Sequence, residues 1–399
     1  MRVLAKSLGL LQLSTPTLGD STSSPAVKTA AQIRRLGLKP VDVIEDFLGS
    51  VRKIVHQSIA DTYNREFVEQ SQAVYIITIP AIWSDSAKAS MVQAAENAGY
   101  GKHRINFHLI TEPEAAAAYT LKVIQPHDFK KDDTFIICDA GGGTVDLISY
   151  KIRSLHPLRV DEVVAGSGDL CGSVYLDNGF KAYMERRVGS AVLDNMSVLS
   201  RTTMEKSWED LKFQFGTDQS GQEDSFEVNV PGLPDSDELD IDEGFHTISR
   251  DEVQKIFDPV VDRVIGLVKA QVAAVEKSGN TVSAILLVGG FGSSAYLFSR
   301  LKDEKFSRNP ESLQVIQPVG ARTAIARGAV VRGLDGSIVA DKRARRFYGI
   351  TVATTLIPLK AEPLRFWDDV DRCWRAPGCF LWSIKKASSP LGRDPSNIT

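Results

Sequence analysis

Long apolar runs are scarce in this 399-residue chain, and no stretch of it reads as a membrane span. Cysteine is scarce too. Cys138, Cys171, Cys373 and Cys379 are too few and too scattered for a disulfide framework, which points to reduced thiols in a cytoplasmic compartment. Cys373 and Cys379 have no histidine near them, which argues against a zinc site. Charge of one sign is missing as well: with a formal net charge of −3 and a pI of about 6.1, nothing electrostatic points to nucleic acid or an anionic membrane as a partner. What is present is ordinary globular composition in a chain longer than one core usually supports, so two or more lobes are expected.

The most informative stretch is Phe135–Tyr150, FIICDAGGGTVDLISY. Phe135–Cys138 reads as a buried strand and Val145–Tyr150 as a second one. Between them Asp139-Ala140-Gly141-Gly142-Gly143-Thr144 places three glycines in a row, more bare backbone than a hairpin needs. Consecutive N–H groups without a Cβ suit phosphate oxygens, Thr144 adds a hydroxyl, and Asp139 and Asp146 can hold magnesium through its waters. A plain glycine-rich hairpin is the competing reading. A P-loop and a dinucleotide fingerprint are excluded, because both need a helix after the glycines and a strand follows here.

Upstream, Met1–Pro16 carries Arg2 and Lys6 without acids, but Gly9 and Gln12 break its apolar run. Residues 1–38 are therefore taken as an irregular start rather than a leader peptide. Leu18–Ser24 resembles a phosphate turn only superficially, since no strand enters it. From Pro40 an amphipathic helix is expected, with Ile44, Phe47 or Leu48, Val51, Ile54 or Val55, and Ile59 facing inward. Val74–Ile79 reads as a strand stopped by Pro80, followed by a helix capped at Ser84 or Asp85 and ended at Gly99. Arg104–Ile110 reads as a strand, and Thr111-Glu112-Pro113-Glu114 launches an alanine-rich helix with Glu112 at the junction, where it can orient a water or simply complement the helix dipole.

Downstream, Gly166–Asp169 offers a second turn with Gly168 and Asp169 at its end. A helix over Thr203–Phe215 puts Glu209 and Lys212 on one face, as a surface ion pair or a nucleoside grip. An acidic stretch, PGLPDSDELDIDEG, is expected to be solvated, and a long helix with Pro259 as a kink follows Ser249. The buried strand Ala284–Val288 runs into Gly289-Gly290-Phe291-Gly292-Ser293-Ser294 and then a helix, a geometry suited to anions or nucleotides. A strand at Leu313–Ile316 and a helix at Ala321–Arg332 come next. Asp341–Arg346 reads as a charged, solvated linker, Tyr348–Thr355 and Phe380–Ile384 as strands, and the last fifteen residues as disordered.

In this order, ITIPAIWSDSAKAS, LITEPEAAAAY, FIICDAGGGTVDLISY, GSGD, WEDLKFQF, ILLVGGFGSSAYLFSRL and RGAVVRG resemble the nucleotide-binding domain of the seventy-kilodalton heat-shock proteins, in the actin-like ATPase superfamily. The resemblance covers roughly Val74–Gly333 and is similar to a divergent fungal and animal branch without an ordinary peptide-binding domain. It implies an α/β fold of two lobes, each on a ribonuclease-H-like sheet flanked by helices, with Mg-ATP or Mg-ADP between them. The lobes are expected at residues 39–150 and 151–335, with a β-containing extension over residues 336–399. The two glycine loops are expected to come one from each lobe and to face one triphosphate.

Carried onto this chain, the resemblance makes Asp139 the holder of hydrated magnesium, with Asp146 on the metal side and Glu112 placing water. It gives the phosphates to Gly141, Gly142, Gly143 and Thr144, with Gly168 and Asp169 also on the nucleotide. It assigns adenosine to Glu209, Lys212, Gly289, Gly290, Phe291 and Ser293, and makes Pro80 an allosteric hinge. Its implied function is a chaperone-like ATPase acting on protein clients or with co-chaperones.

Departures accompany the resemblance. No Asp-Phe-Gly-Thr-Thr hairpin precedes Val74, so the first strands of lobe I are expected to be missing, and no lysine matches the one that positions the attacking water. Cys171 replaces a usual glycine, and Arg322 stands where an acid is common. Losing two or three charge-assisted phosphate hydrogen bonds at ~1.5–3 kcal/mol each weakens binding at least a hundredfold. A pseudo-ATPase acting as an interaction module is thus the alternative expectation, and a small-molecule kinase a weaker third.

Overall fold

The computed structural model describes residues 25–123, 129–217, 224–306, 313–344, 347–355, 366–368, 370 and 372–385. Met1–Pro16, the turn-like Leu18–Ser24 and the tail after Lys385 lie outside them. The fold is mixed α/β, with a parallel two-stranded sheet and a mixed seven-stranded sheet that both contribute to one crevice.

The smaller sheet is the parallel pair β1 (Tyr75–Ile79) and β2 (Phe107–Thr111), in register Tyr75↔Phe107 to Ile79↔Thr111. Three helices flank it: α1 (Pro25–Arg35), α2 (Pro40–Tyr63) and α3 (Asp85–Ala95). The start at residues 25–35 is therefore helical rather than irregular, because Ile33 joins Ile44 and Ala94 in a small apolar cluster. Ser84 caps α3 as expected, its hydroxyl accepting the Ala87 N–H at 3.1 Å. Gly99, at φ +84°, turns the chain just beyond. The expected inward stripe on α2 holds only in its first turns: Ile44 is buried, but Ile54 is 69% and Val55 42% exposed. With two strands to pack on, the small sheet is too narrow to cover the second half of a 24-residue helix.

The larger sheet has seven strands: β3 (Thr134–Ala140), β4 (Val145–Leu155), β5 (Leu158–Glu162), β6 (Ser167–Asp169), β10 (Val282–Val288), β11 (Gln314–Ile316) and β12 (Val339–Asp341). Their order is β11-β10-β3-β4-β5-β12, with β6 paired beside β4. The expected lobe boundary at residue 150 falls inside β4, and the boundary at 336 falls just before β12, so neither marks a break. The reason is burial: β3 is inaccessible along its whole length and needs a neighbour on each edge, which β4 and β10 supply.

The sheet's core is closed by α7 (Arg250–Lys277), whose Val253, Phe257, Val261, Val264, Val268 and Val272 are all buried. Pro259 sits within this helix without ending it. A small antiparallel sheet, β7 (Ser225–Asn229), β9 (Phe245–Ser249) and β8 (Ile241–Asp242), packs nearby. It corrects the solvated reading of the acidic stretch, because Leu233 and Ile241 bury there. The C-terminal strands are β13 (Tyr348–Thr355), β14 (Phe366–Asp368) and β15 (Cys373–Ile384), in one antiparallel sheet.

On β9 of that small antiparallel sheet, His246 is fully buried. Its Nδ1 lies 2.9 Å from the Leu239 carbonyl, which can only accept, so Nε2 accepts from the Tyr183 hydroxyl at 2.9 Å. Burial holds its pKa below the ordinary histidine value. The folded protein thus keeps His246 neutral while the unfolded chain takes up a proton below pH ~6.5. Stability should be fully present above that pH and fall as the pH drops through it. Urea midpoints between pH 7.5 and 5 should show the loss, and His246→Phe should flatten it.

Glu114 is 2% exposed and opens the helix α4 (Glu112–Val123). Its carboxylate meets Arg332 Nε at 3.2 Å and Lys342 Nζ at 2.7 Å. Arg343 in turn donates its backbone N–H to Glu162 Oε2 at 3.0 Å, and Ala344 is buried. Through Ala344 the expected solvated linker is therefore pinned to the fold; Arg345 and Arg346 lie outside the described residues. Glu114→Ala removes the buried carboxylate shared by Arg332 and the largely exposed Lys342, and chemical denaturation should show a loss of about 2 kcal/mol.

Candidate functional site: a crevice between the two sheets

Parallel pairing sets Val288, the last residue of β10, beside Asp139 near the end of β3. The two glycine turns therefore leave neighbouring strands of one sheet at the same end. They do not come from opposite lobes, as expected, but they do share one crevice of about 900 Å³. Its far wall comes from the smaller sheet and its helices, through Ile77, Thr78, Pro80, Trp83 and Glu112.

The first turn is closed by the Gly141 N–H donating to the Thr144 carbonyl at 2.9 Å. Its carbonyls are then captured by the start of the helix α5 (Val174–Val188). The N–H groups of Gly172, Ser173 and Val174 donate to the carbonyls of Gly143, Gly141 and Gly142 at 3.2, 3.1 and 2.8 Å. Donors that a helix start leaves orphaned are thus satisfied by the hairpin. Each peptide unit is planar and trans, so a carbonyl aimed at α5 aims the next residue's N–H away from it. Gly142, Gly143 and Thr144 consequently present three successive N–H groups on the other side. This needs contact so close that a Cβ on Gly172 would stand 2.5 Å from the Gly142 carbonyl carbon and 2.6 Å from the Gly143 nitrogen.

The second turn begins at Gly289, whose φ of +96° favours glycine. A Cβ there would lie 2.5 Å from Asp139 Oδ1, so the two turns touch. Gly289, Gly290 and Phe291 line the crevice. Ser293 does not; its hydroxyl donates to the Gly290 carbonyl at 2.7 Å, and the buried Ser294 lines the crevice in its place.

Asp139 and Asp146 are cross-strand partners, both buried. Only Asp139 lines the crevice; Asp146 Oδ1 accepts the Ile82 N–H at 3.3 Å, joining the large sheet to the turn after Pro80. Gly168 and Asp169 are also placed elsewhere. Gly168 packs against Val145, Asp146 and Ile82, while Asp169 Oδ2 pairs with Arg263 at 2.7 Å. The reason is that β6 continues the sheet beside β4 instead of forming an open turn.

At the opposite end, Lys212 is 7% exposed on α6 (Val198–Gln214). It donates to Asp177 at 2.5 Å and Glu209 at 2.8 Å, and Trp208 Nε1 donates to Asp177 at 3.0 Å. Ser173, Asp177, Phe213 and Arg322 line the crevice too. Sequence reasoning assigned them no part in the site, since none belongs to a glycine turn; adjacency of Phe213 to Lys212 was the available signal.

The carboxylates of the lining are Glu112, Asp139, Asp177 and Glu209, against the cations Lys212 and Arg322. Such a site accepts a polyphosphate only with a cation beside it. Among the described residues no cluster of three or more acids, histidines or cysteines can cage a metal. The donors present fit a magnesium that keeps most of its waters and touches one or two carboxylates.

Burial pushes the Cys171 thiol up to about 12, and the Cys138 thiol up as well, with Asp139 adding to the effect. Both are buried. Neither should react with iodoacetamide in the folded protein at pH 7.5, as peptide mapping would check.

A family model described as Hsp70 protein matches residues 20–340. The chain belongs to the Hsp70 family. Over 424 aligned residues this Hsp70-family chain is 24% identical to Heat shock 70 kDa protein 12A of Homo sapiens, covering 87% of the chain and 60% of that protein. It is 22% identical to Heat shock 70 kDa protein 12B of Homo sapiens, over 86% and 60%. To Chaperone protein DnaK of Psychrobacter cryohalolentis it is 27% identical over 74% of the chain and 42% of that protein. The chain thus spans at most about 60% of the length of these curated relatives. No helix among the described residues is long and apolar enough to cross a membrane.

Proposed function

We propose that this Hsp70-family chain binds ATP or ADP with magnesium in the crevice and acts as a chaperone-like protein in the cytoplasm, toward protein clients or co-chaperones. The observation that carries the reading is the convergence of the Gly141–Thr144 and Gly289–Phe291 turns on one crevice walled by Glu112. In this reading the N–H groups of Gly142, Gly143 and Thr144 hold the phosphates, as backbone nests do. Asp139 and Glu112 would hold magnesium through its waters, and the metal supplies neutralisation of phosphate charge among four carboxylates. Glu209 and Lys212 hold the ribose end, Glu112 orients an attacking water, and Pro80 with the Ile82–Asp146 contact passes lobe closure to the outer surfaces.

A second reading, a pseudo-ATPase that holds nucleotide without turnover, is favoured by the cations available. Lys212 is the one lysine among the described crevice residues, and two carboxylates already engage it. Little positive charge is then left for the transferring phosphoryl group. Phosphate release under excess Mg-ATP separates the two. Slow turnover that Glu112→Gln and Asp139→Asn each reduce at least tenfold supports the ATPase; binding with no release above background supports the pseudo-ATPase.

A further inference from the structure

The two glycine turns are held by different means. The start of α5 fixes the first, by capturing its three carbonyls. The second is held at both ends by the loop 317–321: the Gly289 N–H donates to the Ala321 carbonyl at 3.0 Å, and Gln317 Nε2 donates to the Gly292 carbonyl at 2.8 Å. The Ala321 N–H donates in turn to the Pro318 carbonyl at 3.0 Å, which closes the loop on itself. The second turn therefore sits where this loop sits.

One hydroxyl ties the loop to α4. Tyr119 lies about two helical turns beyond Glu112, with its ring buried. Its hydroxyl donates to the Val319 carbonyl at 3.1 Å and accepts from Arg327 Nη1 at 3.2 Å, and the Arg327 guanidinium stands 5.7 Å from the ring centroid. The Val319 side chain is 85% exposed, so it is the carbonyl that holds this residue to the fold. Gly320, at φ +75°, passes so close that a Cβ would stand 3.2 Å from the same hydroxyl. A phenylalanine ring would fill the same space, so packing alone does not call for the hydroxyl. We propose that Tyr119 is a positioning residue: through the Val319 carbonyl and the loop 317–321 its hydroxyl sets the second glycine turn relative to Glu112 at the head of α4, so that both meet one bound nucleotide. This rests on the nucleotide reading above and deepens it.

The test compares the whole chain with its Tyr119→Phe variant, by calorimetry with Mg-ATP and magnesium tripolyphosphate and by amide hydrogen exchange under saturating Mg-ATP. ATP affinity should fall about fivefold, as for one neutral hydrogen bond, and tripolyphosphate affinity should stay unchanged. ATP-dependent protection should weaken at 289–292 and persist at 141–144, a split that a general loss of packing would not produce. Gln317→Leu, which leaves Tyr119 untouched, should give the same one-sided loss and keeps the test open if Tyr119→Phe misfolds. Unchanged ATP affinity and unchanged protection at 289–292 in both variants, with Gly290→Asp still abolishing binding, overturn the positioning role and spare the nucleotide reading. Equal loss of protection at both turns also overturns it. Failure of the well-folded parent chain to bind Mg-ATP overturns both.

Discussion

Gly172→Val should abolish nucleotide binding, lowering affinity at least a hundredfold, while the circular dichroism spectrum stays that of a folded protein. A side chain at this position collides with the Gly142 and Gly143 backbone and pushes the hairpin off α5. The three carbonyls lose their helix donors, and the N–H groups that their capture aims into the crevice lose their common direction. Two misdirected phosphate hydrogen bonds, at ~1.5–3 kcal/mol each, already exceed a hundredfold. Calorimetry with Mg-ATP reads the loss. Gly172→Ala, which asks for less room, should fall between the two. Retained affinity in the valine variant would mean that the hairpin's direction does not depend on α5.

Gly328→Val should cost about 3 kcal/mol of stability or more, a fall of roughly 4–5 °C in Tm for a domain of this size. Gly328 lies in α8 (Ala324–Asp335), where a Cβ would run into the Ala115 carbonyl of α4. The two helices approach this closely because α4 presents Ala115, Ala116, Ala117 and Ala118, all buried. Neither backbone has room to give way, since the Gly328 helix packs on β1 and α4, and α4 packs on β1 and β3. As Glu112 begins α4, the variant should also lose nucleotide affinity in proportion to the displacement. Differential scanning calorimetry checks the first effect and titration the second.

Much of this was legible beforehand, and the reasons are particular. FIICDAGGGTVDLISY announces strand, turn and strand because its apolar runs are continuous and its glycines have no structural use in a two-residue hairpin. ILLVGGFGSS is legible for the same reason, and Ser84 caps its helix where expected. Sheet partnership was not legible. The adjacency of β3 and β10 joins residues about 150 apart and depends on which edges are left open, so the two glycine turns, expected on separate lobes, stand on one sheet. Periodicity also misled at α2: its apolar stripe is real, but burial depends on what the helix lies against. Gly168 and Asp169 looked like an open turn because a three-residue strand has no periodic signature. Gly172 and Asp177 gain their place from tertiary neighbours, and no local pattern marks such residues.

Closure of both glycine turns on one nucleotide is tested most directly by amide hydrogen exchange with and without saturating Mg-ATP. Slowed exchange at 141–144 and at 289–291 together is expected, with both protections lost in Gly172→Val. Protection at one turn alone, or at neither while calorimetry reports bound ATP, would contradict it.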